Sequence, residues 1–233
     1  MTTAPQFPPL LSGLHSAGHD PFDAACQTAR TGCDAGLILY DAGPDLRAAI
    51  ILAPEVPLAQ AVAMLPLCAV GLQNALGALA PPELPVHLEW GGAVRANGGR
   101  CGGFRIAAST NDPDAVPDWL VTGFELRFQP APGDAGEHPD ETALHAEGCG
   151  DLEPLALLES WSRHTLNGLN RWDVDGIAPL HREWSGLAHG LGQPMTFKGQ
   201  SGTFLGVDEA LGLLLKSGKD TRLIPLTALL EQY

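Results

Sequence analysis

From Leu58 to Leu79 apolar residues take almost every helical position, so this stretch would have no polar face to offer water. A fold containing such a helix must surround it, and 233 residues are enough to build the core that does so. Pro81-Pro82 end it, because neither ring can continue a helix. Pro, Glu or Gln interrupts every long apolar run in the chain, so no bilayer-spanning segment is expected.

The elements around this helix read in a clear order. Residues 1–20, with Pro5, Pro8 and Pro9, read as an extended arm. Asp20-Pro21 then opens a helix to about Thr31, with Asp as cap, Pro at the first helical position and Gly32 at the end. Leu37–Tyr40 and Ala48–Leu52 are strands about the turn Asp41–Asp45. Pro85–Leu88 and Gly103–Ala108 flank a tight turn at Asn97-Gly98, which reads as one hairpin. Trp119–Phe128 is a strand, and residues 130–141, rich in Pro, Gly and acids, form a solvated loop. Pro154 to about Trp172 and Pro179 to Leu191 are helices. After Pro194 come short strands, Met195–Lys198, Gly202–Val207, Leu211–Lys216 and Thr221–Pro225. The expected fold is α/β (α+β): a mixed sheet faced by helices over residues 1–192, then a small β-barrel over 193–233.

Charge narrows the function. Acidic residues number 27 against 13 basic ones, a net charge of −14, which repels nucleic acid and anionic membranes. Five cysteines without a Cys-x-x-Cys pair fit free thiols in a reducing compartment. The N-terminus lacks a signal-peptide pattern, so a cytoplasmic protein is expected.

Chemistry concentrates in Trp90-Gly91-Gly92-Ala93 and in Asn97-Gly-Gly-Arg100-Cys101-Gly102-Gly103-Phe104. Adjacent glycines in a strand admit a ligand or another backbone, and Arg100 beside them suits a carboxylate or phosphate. The plain alternative pairs Arg100 with Glu89 across the hairpin. Cys101 reads as an inert buried thiol before it reads as a nucleophile, since no base is identified for it. No metal site is expected: His15 and His19 have helical spacing, but glycines and prolines argue against a helix there.

The order of elements, together with Trp90–Ala93, Arg100–Gly103, Arg171-Trp172, Ala178-Pro179, Glu183-Trp184, Gly206-Val-Asp208 and Gly212–Leu215, resembles the biotin/lipoate protein ligase family. The resemblance implies the class II biotin/lipoate ligase-like fold with a small C-terminal β-barrel. It also implies activation of biotin, lipoate or octanoate with ATP and Mg²⁺, then ligation or acyl transfer to a lysine of a biotinyl or lipoyl carrier domain. On that pattern Arg100 takes the place of the catalytic lysine and neutralises the acyl carboxylate or phosphate. Gly91, Gly92, Asn97, Cys101, Gly102, Gly103 and Gly123 line the substrate, and Trp90 with Phe104 walls the acyl chain. A homodimer is also in keeping with the family. Three departures stand out: arginine for lysine at Arg100, Gly92-Ala93 where the ligases have acidic or amide groups, and only Ala42–Leu46 where they have a basic glycine-rich lid. The second expectation is therefore a catalytically degenerate member that binds a small carboxylic acid or a carrier protein without adenylation.

Overall fold

In the computed structural model, which describes residues 4–130 and 140–232, the apolar stretch is wrapped by protein but is not one helix. It is split into α2 (Leu58–Ala61) and α3 (Met64–Leu79). Pro66 accounts for the break, because it has no N–H to give to the Val62 carbonyl. The Leu65 N–H takes that carbonyl at 3.2 Å, and the regular pattern resumes with Leu67 N–H on Ala63 at 3.0 Å. Every residue from Met64 to Leu72 is buried, although Leu58–Leu79 has the length and composition of a membrane span.

Seven strands form the main sheet: β1 (Ser12–His15), β2 (Leu37–Ala42), β3 (Asp45–Leu52), β4 (Val86–Leu88), β5 (Ala93–Ala96), β6 (Gly99–Ala108) and β7 (Leu120–Arg127). Their order is β1-β2-β3-β7-β6-β5-β4, with β1 parallel to β2 and every other pair antiparallel. One face packs on α3, backed by α4 (Pro154–Asp175) and α5 (Ala178–Leu187). The other face carries α1 (Pro21–Thr31), which the Asp20 carboxylate caps through the Phe22 and Asp23 N–H groups. Phe22, Ala25 and Cys26 of α1 meet Leu39, Ala49, Ile51 and Val121. α1 packs on β2, β3 and β7.

The structure departs from the sequence reading in four further places. Residues 1–20 are not merely an arm, since Ser12–His15 extends the sheet as β1. The expected single hairpin is a three-stranded meander, with a first turn at Glu89–Gly92 and a second at Asn97-Gly98. The helix from Ala178 ends at Leu187, and Ala188–His189 runs extended along the free edge of β4, where the His189 N–H reaches the Leu88 carbonyl at 2.8 Å. The loop expected over 130–141 falls mostly on residues 131–139, outside the described residues.

The fourth correction is the C-terminal barrel, which is an open antiparallel sheet. Strands β8 (Pro194–Phe197), β9 (Gln200–Val207), β10 (Leu213–Ser217) and β11 (Asp220–Ile224) lie in the order β11-β10-β9-β8, with β8 and β11 left as edges. Four short strands are too few to close on themselves around side chains. Phe204, Leu213, Leu215 and Ile224 are instead buried as part of the core that contains α3.

Candidate functional site

β4, β5 and β6 carry the residues that can do chemistry. Asn97 and Gly98 both have positive φ, 49° and 87°, and form the tight turn that joins β5 to β6. Past this turn the register jumps from Arg95↔Arg100 to Val94↔Gly102, leaving Cys101 as a bulge. A bulge re-aims side chains. Without it Arg100 would share a face with Gly102 and Phe104 and point into the core. With it, Cys101 enters the core and Arg100 stands beside Arg95 on the opposite face.

Both guanidiniums close on one carboxylate. Arg100 grips Glu89 in a fork, Nε to Oε1 and Nη2 to Oε2, each at 2.9 Å. Arg95 donates its Nε–H to the same Oε1 and Nη1 to the Gly98 carbonyl, and only 6% of it is exposed. Burial pulls the Glu89 pKa upward, but the hydrogen bonds from Arg100 and Arg95 outweigh it and hold the carboxyl below its ordinary value. The Glu89 hydrogen bond raises the pKa of Arg100 further. His189 lies nearby, 6.1 Å from the ring of His87; burial first, then the charge of Arg95, lowers its pKa.

This cluster opens into a cleft of about 340 Å³ between the main sheet and the C-terminal one. Glu89, Arg95, Arg100 and His189 make its polar side, while Met195, Phe197 and Phe204 make its apolar side. Trp90 fastens the two sheets together: its Nε1–H donates to the Leu211 carbonyl at 2.8 Å, and its ring meets Phe197 edge-on at 5.0 Å. A second cavity, about 140 Å³, lies among α3, α4 and α5; Arg171, Trp172, Pro179 and Glu183 of the motifs read in the sequence line it, together with His164, but none of the candidate site residues does.

The structure brings Trp90, Gly91 and Arg100 together in the cleft and disperses the others. Gly92 has φ +97° and packs its Cα against the Phe104 carbonyl, where a Cβ would come within 2.6 Å. Gly102 lies against the Glu125 backbone and Gly103 beside Gly92, while Gly123 sits beneath Phe22, where a Cβ would meet the ring at 2.8 Å. Phe104 is in the core, 5.4 Å from Phe124. Asn97 is a turn residue whose Nδ2 donates to Glu147 at 2.6 Å. The Cys101 thiol is buried, which pushes its pKa up to about 12 and leaves it a poor nucleophile. Arg95 and His189 were not anticipated. Arg95 was findable, because Val94 and Ala96 alternate into the core and so turn Arg95 outward. His189 depends on the path taken after α5, which leaves no trace in local sequence.

The residues present depart from what the resemblance implies for a nucleotide and Mg²⁺. Gly92 and Ala93 carry no side-chain oxygen. β2 and β3 are joined through Gly43-Pro44 alone, too short to fold over a bound nucleotide.

Comparison with known proteins gives two family matches: the biotin/lipoate A/B protein ligase family over residues 7–186, and a domain of unknown function, DUF4444, over residues 191–232. Among solved structures, a biotin protein ligase-like protein of unknown function from Silicibacter sp. TM1040 is 61% identical, with a TM-score of 0.93 over 98% of this chain and all of that one. The biotin protein ligase of Aquifex aeolicus shares the fold at 15% identity and TM-score 0.71, over 92% of each chain. That of Leishmania major, in complex with biotin, does so at 14% identity and TM-score 0.59, over 94% of this chain and 98% of that one. No curated protein matches the chain.

Proposed function

Because the chain belongs to the biotin/lipoate A/B protein ligase family, we propose that it binds a small carboxylic acid, or the acylated arm of a biotinyl or lipoyl carrier domain, without forming an acyl-adenylate. The observation that carries this reading is the fork between Arg100 and Glu89. In the position that the resemblance matches to the family's catalytic lysine, the guanidinium is already engaged by the chain's own carboxylate, which it shares with Arg95. It is therefore poorly placed to stabilise the charge that builds up on a reacting carboxylate and phosphate. The turn at Gly43-Pro44 and the absence of an oxygen side chain at Gly92-Ala93 support the same reading.

Binding needs less than ligation. A ligand carboxylate approaching the half-exposed outer edge of Arg100 shares that guanidinium with Glu89, while its apolar part lies against Met195 and Phe197. The imidazole of His189, in the wall of the same cleft, supplies a hydrogen-bonding group to the ligand.

ATP–pyrophosphate exchange with Mg²⁺ and biotin, lipoate or octanoate tests the reading, alongside thermal shifts with the same acids and with carrier domains. The expected result is no exchange, together with an ATP-independent rise in melting temperature that Arg100→Gln removes. Exchange with any of the acids would overturn the proposal in favour of an acyl-ligase. Absence of stabilisation by every acid and carrier would overturn it altogether.

A further inference from the structure

Further along β6, and independently of the cleft, Arg105 forms a second centre on the α1 face. Its guanidinium lies 4.3 Å over the ring of Phe22, which is itself 4% exposed and packed against the sheet. Two carboxylates of the α1 end flank it at longer range, Asp20 at 3.6 Å and Asp23 at 3.4 Å. Its close partner comes from the other end of the chain. Glu231 meets the guanidinium in a fork, Nε to Oε1 at 2.9 Å and Nη2 to Oε2 at 2.8 Å. β5 pairs with β6 only as far as Gly103, and the Gly92 carbonyl takes the Phe104 N–H, so beyond Phe104 no strand among the described residues lies along the outer edge of β6. There the Glu231 N–H donates to the Ile106 carbonyl at 2.9 Å.

The geometry points to a binding site on this chain for a glutamyl group with an acylated amine, occupied here by Glu231 as an internal ligand. Phe22 lies beneath the guanidinium, and the pairing of β6 with β7 positions the Ile106 carbonyl. What the site reads is an amide N–H and a side-chain carboxylate on the same residue, the first on a backbone acceptor and the second on an arginine fork. The group that fills it follows the short helical turn Leu226–Leu229. With Arg105 40% exposed, a ligand can reach the guanidinium from solvent. The same chemistry is offered by a free N-acylglutamate and by a glutamate within an extended peptide.

The test uses the full chain carrying Glu231→Ala, with N-acetyl-L-glutamate and the peptide acetyl-Leu-Glu-Gln-amide as probes in calorimetry. Both are expected to bind this variant, and the loss of the charge-assisted fork should weaken N-acetyl-L-glutamine by about ten-fold or more. The Arg105→Gln/Glu231→Ala double variant should bind neither acid. A peptide at least about ten-fold tighter than N-acetyl-L-glutamate assigns the site to chain-borne glutamate, and equal affinities assign it to the free acid. Hydrogen exchange on the unaltered protein decides the matter even if a variant folds poorly: saturating N-acetyl-L-glutamate should release the tail and speed exchange of the Glu231 amide several-fold. No binding to Glu231→Ala, equal binding of the glutamine analogue, or an unchanged Glu231 amide overturns the inference.

Discussion

Replacing Glu89 by Gln keeps the shape of the side chain and removes its charge, leaving Arg95 and Arg100 without the carboxylate they share. Arg95 pays for this most, because its side chain is 7% exposed and its other acidic neighbour, Asp140, is 3.7 Å away and 78% exposed. Removing one partner of a buried ion pair costs about 3–5 kcal/mol, since the other charge stays buried without compensation. Glutamine still offers one oxygen to a guanidinium, which places the expected loss near the lower bound, about 3 kcal/mol. Arg100→Ala removes the other arm of the same cluster, yet that side chain is 48% exposed and Glu89 keeps Arg95 as its partner. Its cost should be about 0–1 kcal/mol. Equilibrium unfolding in urea, followed by tryptophan fluorescence, reads both, with unchanged m-values as the check that the unfolded states are comparable. The two variants should also separate in pH. Because the Glu89 carboxyl is held below its ordinary value, its contribution is full above the unfolded-state pKa and is lost as pH falls through the folded-state pKa. The acid side of the stability profile should therefore flatten in Glu89→Gln. Equal costs for the two variants, or a cost below about 1 kcal/mol for Glu89→Gln, would refute the assignment of Glu89 as counter-charge to a buried arginine.

Trp90→Ala should destabilise by about 3–5 kcal/mol, and Trp90→Phe by about 1–3 kcal/mol because it strands the Leu211 carbonyl; thermal unfolding measures both. Gly92→Ala should cost about 2–3 kcal/mol from its positive φ and the nearby Phe104 carbonyl, whereas Gly91→Ala, with open space around it, should stay within about 0.5 kcal/mol by the same assay. Of the five thiols only Cys33 is exposed, so a thiol reagent such as DTNB should label one group quickly in the native protein and all five in denaturant. Fast native labelling of Cys101 would contradict its placement in the core.

The outline of this fold could be read from the sequence because it rests on strong local signals. Asp20-Pro21 and Gly32 bound α1 as their cap chemistry requires, and the largely apolar run at Leu58–Leu79 became the buried helical layer. Pro66, which has no N–H to give, breaks that run into α2 and α3. Other misses have a different origin. Ser12–His15 is exposed at every position and has no alternating pattern; it is a strand only because β2 lies beside it, and only the assembled sheet reveals that. The open C-terminal sheet reads like a barrel because its inward residues, Phe204, Leu213 and Leu215, look the same whether they face one another or another unit's core. At the site, sequence put Arg100 beside glycines and allowed two fates for it, a ligand's carboxylate or that of Glu89. The choice was made by one extra residue, Cys101, whose bulge turns Arg100 out of the core and onto the face where Glu89 and Arg95 stand. A bulge depends on how two strands count against each other, so it is a property of the pair and is written in neither strand alone. The same shift explains why the glycines that looked like a ligand's approach serve the backbone. Once Cys101 is absorbed, Gly102 and Gly92 stand where β7 and Phe104 crowd the meander, and a side chain at either would push the strands apart.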